Sequence, residues 1–144
     1  MKEFCRNSGV ALLFVPELPK TRLSSATRWL GPDKALIMLS LRYKRDDHFW
    51  FTFFHEAGHI ILHGKTSVFI DEVDMGTNKA EEAANRFAAN TLIPESKYKT
   101  FVTKRQFYKD DIVAFAQSIN ICPGIVVGRL QRDEHIQHKW HNDL

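Results

Sequence analysis

The stretch His55-Glu-Ala-Gly-His59 restricts this 144-residue chain more than any other part of it. Two imidazoles stand four residues apart, and a carboxylate directly follows the first. On an α-helix, positions i and i+4 share a face, so both rings can reach one ion. Glu56 projects about 100° around the axis from His55, because a helix turns once in ~3.6 residues. A carboxylate there can address a water beside the ion without taking a ligand position. The pattern offers two histidine ligands and a general base.

The flanks call for a helix inside a core. His48-Phe-Trp-Phe-Thr-Phe-Phe54 is apolar enough for a buried helix, Ile60-Ile-Leu62 continues it, and Gly64 stops it. Asp46 or Asp47 supplies an N-cap. Such a setting suits metal ligands, since low dielectric and fixed rotamers hold the imidazoles in place. The competing reading is a core helix whose histidines are partly exposed and satisfied by ordinary partners.

A catalytic zinc usually takes three protein ligands and leaves the fourth position open. His63 is a poor third ligand: it lies about 12 Å along the axis from His55 at ~1.5 Å per residue. It reads instead as a C-terminal residue favourable to the helix dipole, or as a supporting pocket group. Position 65, where a metzincin carries a third histidine, is Lys65. The better candidate is downstream. Residues 79–94 read as one helix, with Glu81 and Glu82 in its first turns, an apolar stripe of Ala84, Phe87, Ala88 and Leu92, and Pro94 as the stop. Glu81 and Asn85 share a face, so the first can bind metal while the second hydrogen-bonds a ligand histidine and fixes its tautomer. Glu82, about 100° away, is the competing ligand. An ordinary solvent-facing Glu pair at a helix start, which the macrodipole favours, is the plain alternative.

Taken together, HEAGHIILHG at 55–64 and EEAANRFAANTLIP at 81–94 resemble the ImmA/IrrE family of metallopeptidase-like domains. The opening Gly9-Val-Ala-Leu-Leu-Phe-Val-Pro16 and the late stretch Ile121 to Gln131 are similar to that family too, so the likeness covers most of the chain. In particular it is similar to the C-terminal half of longer bacterial regulators, whose N-terminal helix-turn-helix domain is related to phage repressors and toxin–antitoxin antidotes. That domain has no counterpart in these residues, which suits a fragment or a stand-alone version. The resemblance implies a zincin-like fold with His55, His59 and Glu81 as ligands of a Zn²⁺, Glu56 as acid/base, and Asn85 and His63 in supporting positions. It implies hydrolysis of a peptide bond: Glu56 takes a proton from water and passes it to the leaving amine. Relatives often carry Glu where this chain has Ala83, which is not an implied ligand. No residue declares itself as an oxyanion donor; Tyr98, His138 and His141 are the candidates. Zinc over manganese or iron follows from ligand type alone.

Composition sets outer bounds. A hydrophobic content of 44% argues for a globular chain, and 144 residues fit one domain spanning 1–144. No apolar run is long enough to span a bilayer, and Met1-Lys-Glu-Phe-Cys5 lacks an apolar leader. Cys5 and Cys122, far apart and outside any Cys-x-x-Cys, read as buried small hydrophobes in a reduced, cytoplasmic protein. The net charge of +3 is mild, with Lys97, Lys99, Lys104, Arg105 and Lys109 crowding one segment. Such a run reads as a solvated face, with Tyr98, Phe101, Phe107 and Tyr108 anchoring the segment to the core.

The expected fold class is α+β. Val10 to Val15 reads as a short strand, Thr21 to Leu30 as an extended segment, Gly31-Pro-Asp33 as a turn and Ala35 to Leu41 as a buried strand. Arg42 to Arg45 lead into the metal helix. Gly64 to Lys79, with Asp71, Glu72 and Asp74, is a loop or hairpin in which Ser67 to Ile70 adds a strand. This small N-terminal sheet packs with the two motif helices and is followed by a helical part. Asp111 to Asn120 and Ile125 to Arg132 form two helices across a Pro123-Gly124 turn, which resembles a helix-turn-helix. The second helix opens on apolar residues, so packing is expected over DNA binding, with Arg129 and Arg132 as the residues that favour DNA. The resulting expectation is a zinc-dependent endopeptidase acting on a protein partner, a transcriptional repressor. The alternative is a non-catalytic sensor or interaction domain of a regulator that carries a metal site.

Overall fold

The computed structural model describes residues 1–16, 25–40, 46–63, 69–70 and 78–144. The elements run α1 (Lys2–Asn7), β1 (Val10–Val15), β2 (Ser25–Gly31), β3 (Lys34–Ser40), α2 (Asp46–Leu62), β4 (Phe69–Ile70), α3 (Asn78–Leu92), α4 (Glu95–Thr103), α5 (Lys109–Ser118) and α6 (Pro123–Arg132). The fold is α+β, with a small sheet near the N-terminus and helices after it.

The sheet has the order β1-β3-β2-β4. Strand β3 is central: β1 pairs with it in parallel and β2 antiparallel, with Ile37 opposite both Leu12 and Thr27. Pro32 and Asp33 make the tight connection from β2 to β3, as the turn residues predict. The two residues of β4 pair antiparallel with Ala26 and Thr27. Side chains alternate across a strand, so Leu12, Ile37 and Leu39 share the inner face with Ser25 and Thr27. All five are buried. Gly9, just before β1, has φ +76 and its Cβ position lies 2.4 Å from the Asp33 carbonyl oxygen, so both conformation and space require glycine there.

Helix α2 is apolar nearly all round because it separates two cores. Phe49, Phe53, Ala57 and Ile60 pack on Leu12, Ile37 and Leu39 of the sheet. Trp50 faces the second core, built from Ile93, Tyr98, Phe101, Ile112, Ala116, Ile125, Val126, Val127, Leu130 and Ile136. Fully burying one such aliphatic side chain contributes about 1.5–3 kcal/mol, so each core adds substantially to holding α2 in place. Asp46 and Asp47 lie inside the first turn of α2 and neither precedes it as a cap. There their charge still complements the helix dipole.

Helix α3 crosses α2 at close range. A Cβ on Gly58 would sit 3.2 Å from the Ala84 Cα and 3.2 Å from the Phe87 ring. Ala84 and Ala88, both fully buried, give α3 the flat surface this approach needs.

Some expectations needed correcting. The N-terminus forms a helix, α1, before the first strand. Residues 79–94 hold one helix only as far as Leu92; a further helix, α4, follows Pro94 and buries Tyr98 and Phe101. Phe107 packs on the helical core, whereas Tyr108 is 68% exposed and anchors nothing. Cys5 packs partly buried under the sheet, but Cys122, just ahead of α6, is exposed. The expected features at 21–24, 42–45, 64–68 and 71–77, including Asp71, Glu72 and Asp74, lie outside the described residues. The apolar start of α6 turns inward: Ile125, Val126 and Val127 are all buried, which is the expected packing. No single helix among the described residues is long and apolar enough to cross a membrane.

The close crossing gives a direct test. Gly58→Val should lower stability by about 1–3 kcal/mol through overpacking, read as a lower urea midpoint. Gly31→Ala, where a Cβ meets nothing within 4 Å, should stay within roughly 0.5 kcal/mol of the parent.

Candidate metal centre

The antiparallel crossing of α2 and α3 sets Glu81 opposite one turn of α2. His55 and His59 project from that turn on the face toward α3, and their ring centroids are 4.7 Å apart. His55 Nε2 lies 3.2 Å from Glu81 Oε2, and His59 Nε2 lies 3.1 Å from Glu81 Oε1. The two Nε2 atoms are themselves 3.0 Å apart. One ligand atom from each of the three residues thus converges, and this trio forms a group that can hold a metal ion.

The donor set passes a simple geometric check. With ligand bonds of about 2.0–2.1 Å, tetrahedral coordination places ligand atoms roughly 3.3 Å apart. The separations here, 3.0 to 3.2 Å, are close to that edge length. The electronic state fits as well. Asn85, one turn after Glu81, places Oδ1 2.9 Å from His55 Nδ1. An amide oxygen can only accept, so His55 Nδ1–H donates and the lone pair is left on Nε2. Burial, with His55 and His63 as like-charged neighbours, pushes the His59 pKa down to about 4. A neutral imidazole is the form that binds metal. The His55 Nε2 lone pair and a carboxylate then face each other about 3.2 Å apart beside a neutral His59 ring, an arrangement that a cation relieves.

Glu82 is exposed, and only Glu81 of the acidic pair meets the histidines. His63 follows the last residue of α2, and its Nε2 lies 3.1 Å from the Ala80 carbonyl oxygen, which accepts the bond. It joins the end of α2 to the first turn of α3 one residue before Glu81.

Glu56 leaves the helix on a different side and is buried at 4% exposure. It points to β2, where the hydroxyls of Ser25 and Thr27 lie against its carboxyl. Burial raises its pKa and is the largest influence. Ser25, Thr27 and His55 pull it back down, while Glu81 pushes it up. A carboxylate with raised proton affinity suits general-base work. Sequence reasoning missed both hydroxyl residues. The signal, hydroxyls at alternate positions of a strand, means something only once α2 is known to lie across that face. It also missed Gly58, whose lack of a side chain sets the helix separation.

The three candidate oxyanion donors go elsewhere or stay peripheral. Tyr98 lies in the helical core beneath the Arg129 guanidinium, 3.9 Å from its ring centroid, and its pKa is raised by burial. His141 Nε2 donates to the Phe107 carbonyl at 2.9 Å. His138 lines a cavity of about 290 Å³ with Asp47, His48 and Phe51. The Phe51 ring lies between that cavity and His55, at 6.2 Å from the imidazole.

A family model for the IrrE N-terminal-like domain, peptidase family M78, matches residues 12–130. The matched stretch runs from within β1 to within α6 and includes every residue of the converging set. No curated protein matched the chain.

The lowered pKa of His59 predicts a pH effect on the metal-free protein. The unfolded chain binds a proton at His59 near pH 6.5, while the folded chain resists it until about 4. The unfolded state therefore holds more protons in that window, and this residue costs stability as pH falls through it. Glu56, raised in the folded state, acts in the opposite direction. The difference between parent and His59→Gln isolates the imidazole. Thermal unfolding in chelator should show the parent losing more stability than His59→Gln between pH 7 and pH 5.

Proposed function

The chain belongs to the IrrE N-terminal-like peptidase family, and from that premise we propose that residues 1–144 form a zinc-dependent endopeptidase domain acting on a protein. The observation that carries the proposal is the convergence of two imidazole nitrogens and one carboxylate within about a tetrahedral edge of each other. In this reading His55, His59 and Glu81 hold the ion, Asn85 fixes the His55 tautomer, and His63 steadies the start of α3. The two-nitrogen, one-oxygen set supports zinc. When bound, the ion supplies Lewis acidity at the scissile carbonyl. Glu56 takes a proton from the attacking water and delivers it to the leaving nitrogen, so the peptide bond breaks as water adds. Its burial beside β2 raises its proton affinity, which aids the first transfer, the removal of the proton from water.

The partner is proposed to be a repressor-type transcriptional regulator. The support is the resemblance of the two motif helices to the peptidase half of helix-turn-helix regulators.

Zinc should raise the melting temperature in a concentration-dependent way, since it binds the folded state and not the unfolded one. Metal content by mass spectrometry should be near one zinc per chain for the parent and for Glu56→Gln, and lost in His59→Ala. Glu56→Gln should reduce cleavage of a protein substrate by roughly 10²–10⁴-fold. Equal cleavage by the parent and Glu56→Gln would overturn the mechanism. Zinc bound with no cleavage of any repressor would favour a sensor role for the same site.

A further inference from the structure

The inner face of β2 breaks a rule that β1 and β3 obey. Leu12, Ile37 and Leu39 fill that face with hydrocarbon, and α2 packs on them with Phe49, Phe53, Ala57 and Ile60. On β2 the corresponding inward positions are Ser25 and Thr27, paired in register with Leu39 and Ile37. Both are buried, at 6% and 3% exposure. A hydroxyl inside a core costs stability unless it has a partner, and hydrocarbon would pack this face better. The group across from them is the Glu56 carboxyl.

The hydrogen-bonding capacity in this corner is complementary. Glu56 Oε2 and Thr27 Oγ1 are both fully enclosed, and neither has a partner of ordinary bonding length among the described residues. One is an acceptor and the other carries a proton to donate. The donor sits on a paired strand and the acceptor on a helix held between two cores, so both ends are rigidly mounted.

We propose that Thr27, with Ser25 beside it, is a positioning residue for Glu56: the β2 hydroxyls donate to the carboxylate and fix its plane on the side of α2 that packs on β2. This inference rests on the zinc-peptidase reading of the site and deepens it. A carboxylate at the end of three rotatable bonds otherwise samples several rotamers. With one edge held by β2, its remaining acceptor capacity is directed at the water and amine that exchange protons beside His55. Neither hydroxyl reaches substrate; they act through Glu56 alone.

Acetohydroxamate is a suitable probe, because it ligates zinc and gives up its acidic proton to the carboxylate beside the ion. Its affinity for the zinc-loaded protein should fall roughly ten- to hundredfold in Thr27→Val, the loss expected for one hydrogen bond to a charged group. Ser25→Ala should show a smaller loss, and Thr27→Ser should restore the parent value. Zinc content, and the visible spectrum of the Co²⁺-substituted protein, should be unchanged in all three variants, because His55, His59 and Glu81 are untouched. If Glu56→Gln weakens the probe while Thr27→Val and Ser25→Ala do not, the positioning role is wrong and the site reading stands. If Thr27→Ser is as weak as Thr27→Val, packing and not the hydroxyl is responsible, and the proposal fails. If the parent takes up no zinc, or Glu56→Gln leaves the probe unaffected, the site reading fails and this inference falls with it.

Discussion

The approach of α3 to α2 at Gly58 is the constraint on which the convergence of His55, His59 and Glu81 depends. A Cβ on Gly58 would lie 3.2 Å from the Ala84 Cα, so even a methyl group there would press on the α3 backbone. At that separation a glutamate on α3 spans the gap to two histidines on α2, and both of its oxygens find an imidazole. Wider spacing would leave Glu81 reaching one ring at most. Gly58 weakens the helix locally, by about 1 kcal/mol relative to alanine. The two cores on either side of α2 more than offset that loss.

Each face of α2 has a separate task, and the same burial gives its two kinds of ionisable group opposite tendencies. Removing solvent penalises whichever form is charged. For His59 this favours the neutral imidazole, the form that ligates. For Glu56 it favours the protonated acid, so the anion becomes a stronger base. A single environment thus suits His59 to the proposed ligand role and Glu56 to the proposed acid/base role without separate devices. The hydroxyls of β2 moderate the effect on Glu56, keeping the carboxyl from being merely a buried acid.

The parts of this arrangement that follow local periodicity were legible in the sequence. The spacing of His55, Glu56 and His59 states a helix face directly, and Glu81 with Asn85 repeats the same logic on α3. Strands β1 and β3 announce themselves as apolar runs. What was not legible depends on contacts between distant segments. Ser25 and Thr27 read as ordinary strand polarity until α2 is laid across them. Helix α4 was masked because its buried pair, Tyr98 and Phe101, is interleaved with Lys97 and Lys99, so the charge run dominated the pattern. Asp46 and Asp47 illustrate a smaller limit: an acidic residue near a helix start serves equally as a cap or in the first turn, and only the backbone tells which.

The helical half contributes to the centre by holding α3 at its far end. Arg129, on α6, donates to the Ala89 carbonyl at 2.7 Å, in the last turn of α3, and to the Ile93 carbonyl at 2.9 Å, just past its end. The Ala89 carbonyl also accepts from the Ile93 N–H at 3.0 Å, and a cation at a helix C-terminus complements the dipole. The guanidinium is further held by stacking on Tyr98 and by Asp133 at 3.5 Å. At the opposite end of α3, His63 bonds the Ala80 carbonyl. Helix α3 is therefore tied at both ends, and Glu81 and Asn85 lie between the ties. Two helices that resemble a DNA-reading pair in sequence direct a key arginine inward, onto the helix that carries the acidic partner of the histidines. The same geometry accounts for the buried, apolar start of α6, which a groove-reading helix would have to present to solvent.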